Sequence, residues 1–171
     1  VTTENIQLGV ELENGERIIG ETNIDRPKHD ANIAISEAFI VGENHINPRA
    51  KEIILNSDYV IIWPGDLYTS IVPNLLADGM EEALSETKAK IIYICNIMTK
   101  YGETNDFDVA DFIEVIEKYA WKDAIDYVLI NNGKIRGEIL EKYAKEKKKP
   151  VELLPGSAHG KKYTLVARDL V

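Results

Sequence analysis

A single cysteine, Cys95, stands in a chain of 171 residues. With no second thiol, an internal disulfide framework is excluded, and nothing argues for an oxidising compartment. No segment reaches the ~18 consecutive apolar residues of a membrane span. Nor does the chain open on a basic stretch followed by an apolar one, as a secretory signal requires, so cytoplasm is the default compartment and membrane insertion is not expected. Basic residues are in deficit, Lys and Arg numbering 20 against 29 Asp and Glu for a net charge of −9. A surface of that sign repels phosphate backbones and anionic headgroups, which argues against nucleic acid as a partner. A phosphate loop ending in Gly-Lys-Ser or Gly-Lys-Thr is missing, as are a nucleophile elbow and a zinc motif. His29, His45 and His159 have no ligand-like spacing and read as surface residues. There is also no initiating methionine: the chain opens Val1-Thr2-Thr3-Glu4, which reads as a piece of something longer.

What is present suffices for one folded domain. Hydrophobic residues make up 44% and charged residues 29%, globular values far from those of disordered chains. Residues 1–46 read as a β-hairpin region. Ile6, Leu8, Val10 and Leu12 alternate before Glu13-Asn14-Gly15-Glu16, and Arg17-Ile18-Ile19-Gly20 follows. Asn-Gly between two apolar runs predicts a hairpin on a type I′ turn, whose central residues both need positive φ. A third short strand is expected within Ile33 to Val41.

Residues 47–171 alternate strand with helix. Asn47 caps a helix opening on Pro48, where the missing N–H costs nothing, and running through Ile53-Ile54-Leu55. Asp58 to Ile62, Lys90 to Cys95 and Ile125 to Ile130 are short apolar runs rich in β-branched residues, as in strands covered on both faces. Helices are expected around Met80 to Thr87, from Asp108 to Tyr119 with Val109, Phe112, Ile113 and Ile116 on one stripe, and from Arg136 to Lys147, which leads into Pro150 to Leu154. Strand alternating with helix predicts an α/β fold, a parallel sheet wound with right-handed crossovers.

In such a sheet ligands bind outside the carboxyl ends of the strands. The first strand ends in Trp63-Pro64-Gly65-Asp66-Leu67-Tyr68-Thr69-Ser70. Thr69 or Ser70 can cap the helix holding Pro73, Asn74 and Leu75, and a helix start suits a phosphate. Asp66 would repel that phosphate unless a metal lies between, so Asp66 better suits Mg²⁺ or a sugar hydroxyl. The plainer account is a glycine turn with a hydroxyl cap and no ligand. The second strand ends in Asn96, Thr99, Glu103 and Thr104, with Asp106 and Asp108 approaching the next helix. Asn96 would point into the crevice, to read a ring edge or a ribose, while Thr104 and Asp108 equally suit helix caps. Asn131-Asn132-Gly133 after the third strand reads as a tight turn with positive φ. Cys95 reads as a small core residue, and Lys145 to Lys149 as a solvated helix end.

The stretches Pro64-Gly65-Asp66-Leu67-Tyr68-Thr69-Ser70-Ile71-Val72-Pro73-Asn74-Leu75-Leu76 and Tyr93 to Thr104 resemble the two signature motifs of the CofD-like superfamily, and within it those of the YvcK branch, the gluconeogenesis factors. The resemblance extends from the hairpin to about Val151 and implies a Rossmann-like three-layer α/β/α fold. It implies a nucleotide-sugar ligand, a UDP-sugar, for a regulatory protein needed on gluconeogenic carbon sources and for cell shape. The CofD branch instead transfers a 2-phospholactyl group from a guanosine diphosphate carrier to a deazaflavin precursor with Mg²⁺, which under this alternative Asp66 and the Asp106 and Asp108 acids would hold. Carried over by motif, Gly65, Asp66, Tyr68, Thr69 and Ser70 would face the ligand's phosphates. Asn74, Asn96, Thr99, Glu103 and Thr104 would line the same crevice.

Two departures follow. Trp63 stands where the family has a leading glycine, and its indole could fill part of the crevice or stack on a ring. The family's glycine-rich strand-to-helix turn and following Asp-Asp-Gly-Gly segment are absent, so the resemblance is to the C-terminal half to two-thirds of the family's chain, and half a site is expected. A third reading is a self-associating module in which a bare sheet edge pairs with another copy.

Overall fold

The computed structural model describes residues 1–156 and 161–171; of the expectations above, that for His159 lies outside the described residues. The first region is more than a hairpin. β1 (Gln7–Leu12) pairs antiparallel with β2 (Arg17–Ile19) on one side and β3 (Ile35–Val41) on the other, with a short α1 (Glu21–Asp25) between β2 and β3. Alternation sends Leu8, Val10 and Leu12 into the core. The hairpin is as expected, but its turn is not type I′. Gly15 N–H donates to Leu12 O at 2.8 Å, and Gly15 alone adopts positive φ, 82°. That is a type I turn closed by a glycine bulge, which needs the left-handed conformation once rather than twice.

The second region is a four-stranded parallel sheet of β4 (Tyr59–Ile62), β5 (Lys90–Ile94), β6 (Tyr127–Asn131) and β7 (Thr164–Arg168), in that order. Strands follow in space as they follow in sequence, so every crossover runs the same way. β7 was not among the expected strands. Pro150 to Leu154, which follows the last helix, does not join the sheet; Val151 N–H donates to Ile97 O at 2.9 Å, clamping this segment beside the loop after β5.

The helices are α2 (Pro48–Leu55), α3 (Val72–Leu75), α4 (Met80–Glu86), α5 (Val109–Tyr119) and α6 (Gly137–Lys145). Asn47 Oδ1 accepts from Arg49 N–H at 2.9 Å, the cap the sequence predicts. α5 carries the full set of local signals. Asp108 Oδ1 accepts from Ala110 and Asp111 N–H at 2.7 and 3.0 Å while Asp111 Oδ2 accepts from Asp108 N–H at 2.7 Å. Its stripe of Val109, Phe112, Ile113 and Ile116 is buried. Removing this reciprocal cap by Asp108→Ala should cost about 1 kcal/mol, read in thermal unfolding as a midpoint lowered by roughly 2–4 °C; an unchanged midpoint would show the cap to be redundant with packing.

One face of the parallel sheet, bearing Ile91, Tyr93, Val128 and Ile130, is buried in the core with residues of α3, α4 and α5. The antiparallel sheet stands on the far side of these helices, where Tyr119 Oη accepts from Ala38 N–H at 2.7 Å and Lys118 Nζ donates to Ser36 O at 2.7 Å. The other sheet face carries Tyr59, Ile61, Ile92, Ile94, Tyr127, Leu129 and Val166, exposed or half-buried. Among the described residues no helix is long and apolar enough to cross a membrane.

Candidate functional site

The carboxyl ends of β4, β5 and β6 open onto a crevice of about 570 Å³ lined by Trp63, Gly65, Asp66, Asn96, Met98 and Tyr143, among others. The expected rim is therefore real, yet the motif residues divide among several surroundings. Gly65 O accepts from Asn96 Nδ2 at 2.8 Å, tying the first two loops together. That bond aims the amide's other end inward: Asn96 Oδ1 is buried and has no hydrogen-bond partner. Buried acceptors without donors are rare in folded chains.

The helix after Gly65 opens in an unexpected way. Leu67–Ile71 is a π-helical turn, in which both Ser70 and Ile71 N–H donate to Asp66 O, at 2.8 and 3.2 Å, before α3 continues. Neither Thr69 nor Ser70 caps it. Glu103 occupies the amino-terminal donors instead, its Oε2 accepting from Tyr68 N–H at 3.0 Å and its Oε1 from the Thr69 hydroxyl at 3.2 Å. The place expected for a ligand's phosphate thus holds a protein carboxylate, because a carboxylate satisfies the same orphan donors and the same dipole. Glu103 is 3% exposed. Burial first, and the charge of Asp66 second, push its carboxyl group up to about 7.

Asp66 and Asp25 flank Glu103, and one oxygen from each of the three carboxylates falls within 4.8 Å of the others. Lys100 Nζ bridges Asp25 Oδ1 and Asp66 Oδ2 at 2.5 and 3.2 Å, which holds the Asp25 carboxyl below its ordinary range. Three oxygens of this kind suit a hard divalent cation such as Mg²⁺. The ammonium of Lys100 already pairs with two of the three carboxylates, Asp25 and Asp66. Asp106 and Asp108 do not join this group: Asp106 pairs with Lys149, and Asp108 caps α5.

Thr99 and Thr104, expected along the crevice, are buried in bonds within the chain. Thr99 Oγ1 accepts from Lys149 N–H at 2.9 Å, and Thr104 Oγ1 accepts from Lys100 N–H at 2.8 Å. Tyr68 is a core residue whose hydroxyl reaches Ile35 O at 3.4 Å, and burial raises its ionisation above the usual phenol range. Ser70 and Asn74 line an adjoining cleft beside β4, which shares Trp63, Pro64 and Gly65 with the crevice. Cys95 is core, as expected, and burial pushes its thiol up to about 12. None of Asn131, Asn132 and Gly133 adopts positive φ. A Cβ at Gly133 would sit 1.9 Å from Asp169 Oδ1, so the Asp169 side chain would have to swing aside to admit one. Asp25 was missed because nothing in the polar stretch before Arg26-Pro27 marks it as a partner of Lys100, 75 residues away.

Gly65, Asp66 and Asn96 thus line the crevice with Trp63, and Asp66 also joins Asp25 and Glu103 in the carboxylate cluster, to which Thr69 donates a hydrogen bond. This constellation has relatives. The family model for 2-phospho-L-lactate transferase CofD matches residues 1–171. A "Putative gluconeogenesis factor" of Thermotoga maritima is 39% identical over 153 residues, 90% of this chain and 47% of the relative. Its counterpart from Thermoanaerobacterium thermosulfurigenes is 33% identical over 172 residues, 100% of this chain and 53% of that protein. The crystal structure of a UPF0052-family protein from Bacillus halodurans superimposes with a TM-score of 0.90 at 30% identity, over 98% of this chain and 53% of its own. The chain spans about half the length of the relatives it matches. It belongs to the CofD family, with gluconeogenesis factors among its relatives.

Proposed function

We propose that the crevice binds a nucleotide-sugar, in a regulatory rather than a catalytic role, and that this chain supplies one wall of a site shared with the half of the fold it does not match. The observation that carries this reading is Asn96. Asn96 lines the crevice and its buried Oδ1 has no partner, so it calls for a donor, and the N3–H of a uracil or a sugar hydroxyl is one. Trp63, which also lines the crevice, offers an aromatic face for a ring. Glu103, the buried carboxylate held near neutrality, points at the amides of the π-turn rather than into the crevice, which favours binding over proton transfer.

One wall alone should bind weakly. Calorimetric titration of this chain with UDP-N-acetylglucosamine is expected to show no better than millimolar affinity, whereas micromolar binding would overturn the shared-site part of the proposal. In amide-resolved NMR at millimolar ligand, Gly65, Asn96 and Ile97 should shift, and Asn96→Ala should weaken the effect about tenfold, the worth of one good hydrogen bond. Unmoved amides around Asn96 would refute the nucleotide-sugar reading.

The family model's own description supports a second reading, transfer of a phospholactyl group. It predicts Mg²⁺-dependent perturbation by guanosine diphosphate in preference to the uridine compound, reported at Asp25 and Asp66.

A further inference from the structure

Beside β2, and sharing no residue with the crevice, lies a pocket of about 320 Å³ lined by Arg17, Ile19, Asn23, Lys28 and His29, with Glu16 the one acid among its walls. In a chain of net charge −9 this inverts the prevailing sign. Lys28 is exposed and has no ion-pair partner among the described residues. Arg17 Nε pairs with Glu11 Oε2 at 2.7 Å, while its Nη groups have no hydrogen-bond acceptor among the described residues. His29, a surface residue by its sequence, is half-buried; its Nε2 is buried and has no hydrogen-bond partner, so it too calls for one.

The backbone adds donors of its own. Glu16 O accepts from Leu12 N–H at 2.9 Å and Gly20 N–H donates to Leu8 O at 2.7 Å, so the residues that alternate with these, Arg17 and Ile19, turn their N–H groups away from β1. No strand lies on that side of β2. The Ile19 carbonyl, which would offer an acceptor there, is taken by Asn23 Nδ2 at 2.8 Å.

We infer that this pocket is a second binding site, for a small, multiply charged oxyanion such as a phosphate ester or a polycarboxylate. The Lys28 ammonium supplies a countercharge, the Nη groups of Arg17 a planar fork that matches two oxygens, and the outward amides of the sheet edge fixed donors between them. The volume stands at the small end of the roughly 300–1,000 Å³ of ligand pockets, which suits a metabolite of a few carbons and is too small for a nucleotide. The ligand class therefore differs from that of the crevice in size.

The test is an amide-resolved NMR titration of this chain with pyrophosphate and, separately, with citrate, sodium chloride holding the ionic strength constant. In at least one arm the amides of Arg17, Ile19, Asn23 and His29 should shift saturably, with a Kd below a millimolar. The arm that saturates at lower concentration tells phosphate from carboxylate chemistry. Lys28→Ala, at an exposed position where the fold is kept, should weaken binding about tenfold, the worth of one charge-assisted contact. Lys88→Ala, which removes an exposed lysine outside the pocket, should leave it unchanged. Shifts that fail to saturate in both arms, shifts reproduced by sodium chloride alone, or equal weakening by the two lysine changes, which would report net charge rather than a site, would each overturn the inference.

Discussion

Replacing Glu103 by glutamine is expected to stabilise the protein above pH 7 and to flatten its stability between pH 4.5 and 7. The folded state raises this acid from 4.5 to about 7, so over that window the native protein holds a proton that the unfolded chain has released. Stability therefore falls as pH rises through the window, and the loss is complete above the folded value. At about 1.4 kcal/mol for each pH unit the penalty is roughly 3 kcal/mol. Glutamine keeps an oxygen for Tyr68 N–H and offers its amide to the Thr69 oxygen, and it brings no charge to bury beside Asp66. In a chain of this size roughly 3 kcal/mol corresponds to about 6–12 °C in the unfolding midpoint. Urea or thermal unfolding at pH 5 and pH 8 decides the matter: equal pH slopes in the two proteins would mean that Glu103 titrates normally.

Lys100→Met should have an effect of similar size and opposite sign. Its ammonium is mostly enclosed, 19% exposed, and bridges Asp25 and Asp66 beside Glu103. Methionine keeps much of the stem's volume but leaves three carboxylates facing one another, and breaking one side of such an enclosed pair costs roughly 3 kcal/mol. Both aspartates retain some contact with water, so a value at or below that figure is expected at pH 8. Acid should partly restore the variant, because protonating any of the three carboxylates relieves the repulsion. Coupling gives a sharper reading. In a Glu103→Gln background the same lysine change should cost measurably less, since one of the repelling charges is already gone. Additive costs would separate Lys100 from Glu103 and dissolve the cluster as a unit.

Much of this molecule was legible along the chain. Asn47 before Pro48, Asp108 with Asp111, and the stripe from Val109 to Ile116 each act within one or two helical turns, where sequence neighbours are spatial neighbours. The runs ending at Ile62, Cys95 and Ile130 announced strands by being apolar and β-branched. β7 was not anticipated, and the hairpin turn took the one-glycine form where two positive φ angles were expected. A crevice does open at the carboxyl ends of the strands, as the parallel sheet implies, but the motif residues around it were less readable. Thr99 and Thr104 look like ligand groups in a hydroxyl-rich loop; the donors they satisfy, Lys149 N–H and Lys100 N–H, depend on how the loop is folded.

The amino-acid sequence by itself determined most of the strands and helices, β4, β5, β6 and α5 among them, and how α2 and α5 begin. These follow from periodicity and from caps that reach only a few residues. The tertiary structure alone decided that Glu103 fills the helix start 35 residues before it, that Lys100 joins Asp25 to Asp66, and that Asn96 keeps a buried oxygen unpaired. Each depends on which distant groups meet once the sheet is wound, and a hydrogen-bonding group carries no mark in the sequence of the partner it will find.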